Sequence, residues 1–337
     1  MLKLVITGCR GFIGSNFLIQ FLKDFEKHTK PFDGILLIDA GYLEGLGDMP
    51  EWNMDGNLKI YNELKDQCLR YGKTFDECNV DINHIGDHFV NMDDDVQYVV
   101  INFASESHVD NSISTPFEVY KDNSTLVPNL IEWLGLNNIE EFIHIRTDEE
   151  YGHLISKDGE PFKVGDPIKP RNPYSASKAS QTLFLQSLET TFNLRVQYIT
   201  LANQFGKHQH FSKMIPATIK RIMDGKEALI FGKGTQLREW TYVDDTCTII
   251  LDHLINGNGQ PVHISNVEGL VTNIDLVKLI IKILKEEHDI SGEWILGADR
   301  QGHDFCYKIQ PTEFFKHTTL VDGLKETIKH YVELYEK

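Results

Sequence analysis

The segment Thr7-Gly8-Cys9-Arg10-Gly11-Phe12-Ile13-Gly14 follows an apolar run, Leu2–Thr7. It opens a stretch in which Phe12, Ile13, Phe17, Leu18, Phe21 and Leu22 recur at helical spacing. Three glycines between a buried strand and a helix allow a tight turn and close approach of backbone to a ligand. The helix N-terminus then offers N–H groups and the positive end of its dipole, which together suit a pyrophosphate. Gly8, Gly11, Phe12, Ile13 and Gly14 are the residues so placed. Asp39 closes the next apolar run, Ile35–Ile38. An acid there binds the adenosine 2′-hydroxyl and repels a 2′-phosphate, so the reading is NAD rather than NADP.

The pattern continues as strand and helix in alternation. Strands are expected over Thr74–Val80, Val96–Phe103, Glu141–Ile145 and Val196–Leu201, and helices over Phe12–Phe25, Asn62–Arg70, Pro116–Leu134 and Pro173–Phe192. Pro128 is expected to kink or divide its helix, and the remainder of residues 40–73 reads as irregular. Strands that are apolar throughout, separated by helices, argue for a parallel sheet covered on both faces. The fold class is therefore α/β, a Rossmann-type doubly wound sheet. After residue 203 short helices (Ile215–Met223, Thr246–Ile255, Asn273–Lys285, Leu324–Tyr335) mix with brief strands near 228–231, 241–243 and 262–265. The expected division is an NAD-binding domain over 1–202 and a smaller α/β substrate-binding lobe over 203–337, with some chain crossing back.

Composition narrows the function. The 337 residues are 41% hydrophobic and 25% charged, which excludes a disordered chain or a disulfide miniprotein. Basic residues number 33 against 50 acidic ones, a net charge of −17, a poor match for nucleic acid or an anionic membrane. No apolar run reaches the roughly 18 residues of a membrane span, and the N-terminus lacks a signal-peptide layout. Cysteines stand at 9, 68, 78, 247 and 306 with no C-x-x-C pair and no His/Cys cluster, so no metal is expected. Reduced thiols in a cytoplasmic protein are the simplest reading.

Two segments carry chemistry. Tyr174-Ser175-Ala176-Ser177-Lys178 follows Pro170-Arg171-Asn172-Pro173, which marks a helix start, so Tyr174 and Lys178 share one helix face. An ammonium beside a phenol favours the phenolate and makes a general base plausible. Arg146-Thr147-Asp148-Glu149-Glu150-Tyr151-Gly152 leaves the C-terminal end of a strand, where α/β folds place ligands. Adjacent carboxylates reach different atoms of one substrate, and different environments keep one protonated and the other ionised. That suits elimination of water. An acidic first helical turn is the plainer alternative.

With these motifs the chain resembles the extended short-chain dehydrogenase/reductase family. Ser105-Glu106-Ser107-His108-Val109-Asp110, Thr147–Gly152, Tyr174–Lys178, Gly232–Tyr242 and Asp299-Arg300-Gln301-Gly302-His303-Asp304 occur in the order seen in nucleotide-sugar 4,6-dehydratases, and the likeness to the dTDP-glucose 4,6-dehydratase group covers essentially the whole chain. The resemblance implies an NAD-dependent hydro-lyase. Tyr174 takes the sugar 4-hydroxyl proton as C4 gives hydride to NAD, and Lys178 holds the nicotinamide ribose and the tyrosine. Glu149 removes the C5 proton, protonated Asp148 donates to the departing 6-hydroxyl, Thr147 bonds the oxygen on C4, and hydride returns to C6. It also implies a cofactor site including Asp81, Ile82, Phe103, Ala104, Ser105 and Gln204. Ser107, Asn203, Lys213, Arg238, Asn273, Arg300 and His303 join Thr147 on a dTDP- or UDP-hexose. Arg238 has its own rationale, since a guanidinium binds a diphosphate bidentately.

Several positions depart from that pattern. Arg10 either touches a cofactor phosphate or points outward. Arg146 and Glu150 stand where Ser and Val are usual, as an ion pair or as a change of shape beside the acids. Gln204 replaces an Asn. Competing readings are a 4-epimerase, a UDP-glucuronate decarboxylase, or a non-catalytic nucleotide-sugar-binding protein. Relatives often form homodimers through the two helices corresponding to Pro116–Leu134 and Tyr174–Phe192. Leu183, Phe184 and Leu188 either serve such a bundle or face the protein's own sheet.

Overall fold

The computed structural model describes residues 1–40, 51–87, 95–257, 259–266, 268–299, 302–312 and 317–336. Arg300, expected on the substrate, lies outside the described residues. In chain order the elements begin with β1 (Leu2–Thr7), α1 (Phe12–Lys23), α2 (Phe25–Thr29), β2 (Gly34–Asp39), α3 (Glu51–Arg70), β3 (Thr74–Asn79), β4 (Gln97–Asn102), α4 (Val109–Ser114) and α5 (Pro116–Leu134). Next come β5 (Ile139–Thr147), α6 (Pro173–Phe192), β6 (Val196–Leu201), β7 (Asn203–Phe205), α7 (Met214–Met223), β8 (Ala228–Phe231), β9 (Leu237–Arg238) and β10 (Trp240–Tyr242). The last are α8 (Val243–Asn256), β11 (Val262–Ile264), β12 (Val271–Thr272), α9 (Asn273–His288), β13 (Trp294–Gly297) and α10 (Leu320–Tyr335).

The central sheet is seven-stranded and parallel, in the order β11-β6-β5-β4-β1-β2-β3. The order reverses beside β1, between the β1–β2 and β1–β4 pairings, and β1 feeds the glycine loop. Leu4, Val5 and Ile6 of β1 and Ile35, Leu37 and Ile38 of β2 are fully buried. Such continuous apolar strands are what a sheet covered on both faces requires.

The chain forms two compact units, the first from Met1–Glu150, Pro170–Thr200 and Cys247–Pro261, the second from Tyr151–Lys169, Leu201–Thr246 and Val262–Lys337. In the first, Val5, Val100 and Phe142 from the strands share a core with Val127 and Leu130 of α5 and Leu185 of α6. In the second, β7 pairs with β10 and β8 with β13 in parallel, while β9 and β12 run antiparallel. Phe205 anchors its aromatic core against Trp240 and Tyr242.

Several expectations change. Pro128 sits inside α5 without ending it; the buried face of Val127, Leu130 and Ile131 holds the helix through the missing donor. The helix expected over Phe12–Phe25 breaks at Asp24, whose extended φ of −141° separates α1 from α2. The third helix starts at Glu51 rather than Asn62, so part of a segment read as irregular is helical. Among the described residues no helix is long and apolar enough to cross a membrane.

Candidate active site

The glycine loop is built by steric necessity. Gly8 has φ +62°, and a Cβ there would stand 2.6 Å from the Ala104 nitrogen, against the backbone that leaves β4. At Gly14 a Cβ would run into the Gly8 carbonyl. The turn closes through Gly11 N–H to Gly8 O at 3.1 Å and Ser15 N–H to Gly11 O at 2.9 Å. Gly11 caps α1, no side chain caps its first turn, and no acid occupies that turn. A helix N-terminus left in this state suits an anion.

Asp39 sits at the end of β2, where Oδ2 accepts the Arg10 N–H at 2.8 Å. The Arg10 guanidinium pairs with Glu77 at 2.5 Å and lies 5.0 Å from the Tyr61 ring centroid. Phe103 packs on Phe17 with centroids 5.3 Å apart. Asp81 is exposed and accepts the Asn83 N–H, and Ile82 is buried in the core. Ser105 donates to Asn123 Oδ1 at 3.3 Å, and Ser107 lies beside it, partly buried.

Thr147, Asp148, Glu149, Tyr174 and Lys178 all lie in the first unit. Thr147 ends β5, and a 3₁₀ turn, Asp148–Tyr151, follows at once. Thr147 Oγ1 donates to Asp148 Oδ1 at 3.3 Å, accepts the Glu149 N–H at 3.3 Å, and hydrogen-bonds Tyr174. Asp148 is 4% exposed, whereas Glu149 keeps part of its surface open. Part of the Tyr174 surface also reaches solvent, yet the protein massed around its phenol pushes that group up. The carboxylates of Glu149, Glu150 and Asp148 add to the rise, and the Thr147 hydrogen bond opposes it. Lys178, expected beside the phenol, donates its Nζ to Gln181 Oε1 at 2.8 Å. Burial lowers its amine to about 8, with Glu150 opposing and Arg146 reinforcing the fall.

Residues outside the sequence reading hold this group together. Asn172 caps α6, accepting the Ser175 N–H at 2.8 Å, and its Nδ2 donates to Glu149 Oε2 at 2.8 Å. Asn123 joins α5 to the loop after β4 and to α6, through the Glu106 N–H at 2.8 Å and Ser177 Oγ at 3.0 Å. Gln181 links Lys178 to the Asn123 carbonyl. The prolines marked the helix start in the sequence, but neither the cap at Asn172 nor its bond to Glu149 was read there.

Of the residues expected on the nucleotide sugar, Ser107 and Thr147 lie in the first unit and Asn203, Lys213, Arg238, Asn273 and His303 in the second. Arg238 is 8% exposed, donates to the Leu237, Asp304 and Phe305 carbonyls, and lies 4.3 Å from the Tyr307 centroid. Asn203 and Asn273 each have a buried Oδ1 with no hydrogen-bond partner among the described residues. Lys213 caps α7. His303 Nδ1 lies 2.8 Å from Asp299 Oδ1 and 3.1 Å from the Gln236 amide nitrogen. The Gln204 amide is engaged by Thr246 Oγ1 at 2.6 Å and by the Ala202 carbonyl at 3.1 Å.

A parallel, doubly wound sheet whose first strand feeds a glycine loop and an uncapped helix defines a Rossmann-type dinucleotide-binding protein. Residues 54–267 match the model of the NAD dependent epimerase/dehydratase family, and the chain belongs to that family. Over 98% of its length it is 31% identical to the low-salt glycan biosynthesis protein Agl12 of Haloferax volcanii, covering 99% of that protein. It is 30% identical to the dTDP-glucose 4,6-dehydratase of Haemophilus influenzae, with 98% of each covered. Among solved structures it is similar to the dTDP-glucose 4,6-dehydratase DesIV of Streptomyces venezuelae with NAD bound, at a TM-score of 0.79 and 26% identity, covering 98% of this chain and 97% of that one.

Proposed function

We propose that the chain is a nucleotide-sugar 4,6-dehydratase of the dTDP-glucose type. The observation that carries this reading is the adjacent acids Asp148 and Glu149, the first nearly enclosed and the second partly open, on a turn whose Thr147 also bonds Tyr174. A simple oxidoreductase has no use for two such acids. Relatives of that activity, similar along almost the whole chain, support it.

The residues present fit NAD. Gly8 and Gly14 let the loop close tightly where a Cβ would clash with backbone, α1 offers its N-terminus, and Asp39 stands at the end of β2. When bound, NAD supplies the acceptor for hydride from C4 and its donor to C6. Tyr174 takes the 4-hydroxyl proton, and the ammonium of Lys178, one helical turn along α6, favours the phenolate. The ketone at C4 acidifies the C5 proton, which Glu149 removes. Asn172 donates to Glu149 Oε2 at 2.8 Å and so fixes the orientation of that carboxylate. Asp148, nearly enclosed, donates a proton to the departing 6-hydroxyl. Arg238, with Lys213 and His303, binds the diphosphate, and the acceptors of Asn203 and Asn273, unpartnered among the described residues, take donors from the sugar or base.

The five buried, unbridged cysteines fit a reducing, cytoplasmic setting; thiol titration of protein isolated without reductant tests this. Phe117, Tyr120 and Leu183 are exposed on α5 and α6, and a second copy of the chain is the partner we assign to them. A monomer in light scattering at micromolar concentration removes that assignment.

The deciding experiment is mass spectrometry after incubation with NAD and dTDP-glucose or UDP-glucose. Loss of one water from one donor, abolished in Glu149→Gln, establishes the reaction and names the nucleotide. An isomer of unchanged mass makes the protein an epimerase, and the absence of any conversion rejects dehydration of these donors.

A further inference from the structure

Behind Tyr174 and Lys178 lies an enclosed ion pair that the steps above leave unused. Arg146 points Nε and Nη2 at one oxygen of Glu150, at 3.0 and 2.9 Å. Thr182 Oγ1 donates to the same oxygen at 2.9 Å. Glu150 is fully buried, and its other oxygen has no hydrogen-bond partner among the described residues. An ion pair in such a place costs desolvation that well-packed apolar side chains avoid, so it is a poor device for stability alone.

Thr182, which holds Glu150, lies one helical turn along α6 from Lys178, a lysine 4% exposed and hydrogen-bonded to a neutral amide. Burial drives an amine toward its uncharged form. Glu150 is the anion opposing that drive, and Arg146 works against it. Three other titratable groups facing this cluster, His144, Tyr198 and Tyr174, carry no charge near neutral pH. His144 on β5 is enclosed with both ring nitrogens unpartnered, held uncharged by burial and by Lys178 and Arg146. Tyr198 on β6 lies under the Arg146 guanidinium at 5.9 Å and donates to Glu189 of α6 at 2.5 Å. Tyr174 is a phenol pushed up by its surroundings.

We propose that Glu150 and Arg146 are positioning residues for the reaction: Glu150 holds the buried amine of Lys178 protonated across the working pH range, and Arg146 and Thr182 fix Glu150 where it does so. The inference rests on reading Tyr174 and Lys178 as the base pair. Only the ammonium favours the phenolate, so a Lys178 that loses its proton early deprives Tyr174 of help on the alkaline side.

The test follows the Lys178 side-chain nitrogen by heteronuclear NMR in the NAD-bound protein, assigned by its loss in Lys178→Met, together with the pH profile of kcat/KM for sugar oxidation. Glu150→Gln keeps the shape and an acceptor for Arg146. Its amine is expected to titrate about one pH unit or more lower, with the alkaline limb of the profile moving alike. Arg146→Met is expected to shift both upward, and Glu150→Asp to restore most of the wild-type value. A purely structural role would lower the rate by one factor at every pH and leave the titration where it was, and that result overturns the proposal. If Glu150→Gln does not fold, the upward shift in Arg146→Met decides. If wild-type protein oxidises no nucleotide sugar, the reading of Tyr174 fails, and the NMR titration still decides the role of the pair.

Discussion

Lys178 shows a single residue working against the fold that holds it. Its amine titrates near 8 in the folded protein, against an ordinary 10.5, because burial disfavours the charged form. The unfolded chain binds the proton more tightly, so below pH 8 the folded state carries the full penalty, about 3 kcal/mol. That penalty is relieved as pH rises from 8 toward 10.5. Replacing Lys178 by Met is therefore expected to raise the free energy of unfolding at pH 7 by about 1–3 kcal/mol, the lost Gln181 contact trimming the gain. The same change is expected to remove nucleotide-sugar turnover. Urea unfolding beside an activity assay checks both, and an unchanged or lower stability at pH 7 would contradict the assignment of a costly buried ammonium. The sequence displays Lys178 as part of Tyr-x-x-x-Lys but not this cost. Its surroundings come from Gln181, i+3 on the same helix and reaching on to α5, and from Glu150 on another segment, which no spacing rule brings to it.

At the scale of elements, the turn between β1 and α1 makes the sharpest demand. Gly8 combines a positive φ with a backbone neighbour where a side chain would go, so Gly8→Ala meets both strain and a clash with the segment after β4. Calorimetry is expected to show NAD affinity reduced at least tenfold and a fall in stability of about 1–3 kcal/mol; binding within twofold of wild type would mean that the loop does not hold the cofactor. This turn could be read before any coordinates because glycine spacing, an apolar strand and helical periodicity coincide within 20 residues. The same held for Leu2–Thr7 and Pro116–Leu134, which are rich in apolar residues, and for Pro173–Phe192, where the prolines mark the helix start. Other elements gave no such signal. β13 has four residues of mixed exposure and no strict alternation, and α4 is too short to show a period. The early turns of α3, Glu-Trp-Asn-Met-Asp-Gly-Asn, contain a glycine and show no apolar helical period in the sequence. In the site, Asn172, Asn123 and Gln181 escaped because each earns its role through partners distant in sequence.

For the molecule as a whole, the net charge of −17 and the buried imidazoles pull stability in opposite directions as pH falls. Acidification relieves self-repulsion among the carboxylates, but most stay ionised above pH 5, and salt screens them over roughly 8 Å. The imidazoles act sooner. Burial holds His144 well below its ordinary 6.5, with Lys178 and Arg146 adding to the shift, and burial holds His208 down at about 4. A histidine whose folded value is depressed binds its proton preferentially in the unfolded chain. Its contribution is intact above pH 6.5 and is lost as pH drops below that value, at up to about 1.4 kcal/mol per unit for each group. His144 can be isolated, because its ring already packs between Phe142 and Tyr198, with centroids 6.4 Å from each, and both of its nitrogens lack partners. A Phe in its place keeps the ring and removes the titration. Unfolding free energies measured at pH 7.5 and 5.5 are expected to fall less in His144→Phe than in wild type, by about 1 kcal/mol. Equal losses in the two proteins would mean that the imidazole accepts its proton within the fold and that the acid response comes from elsewhere.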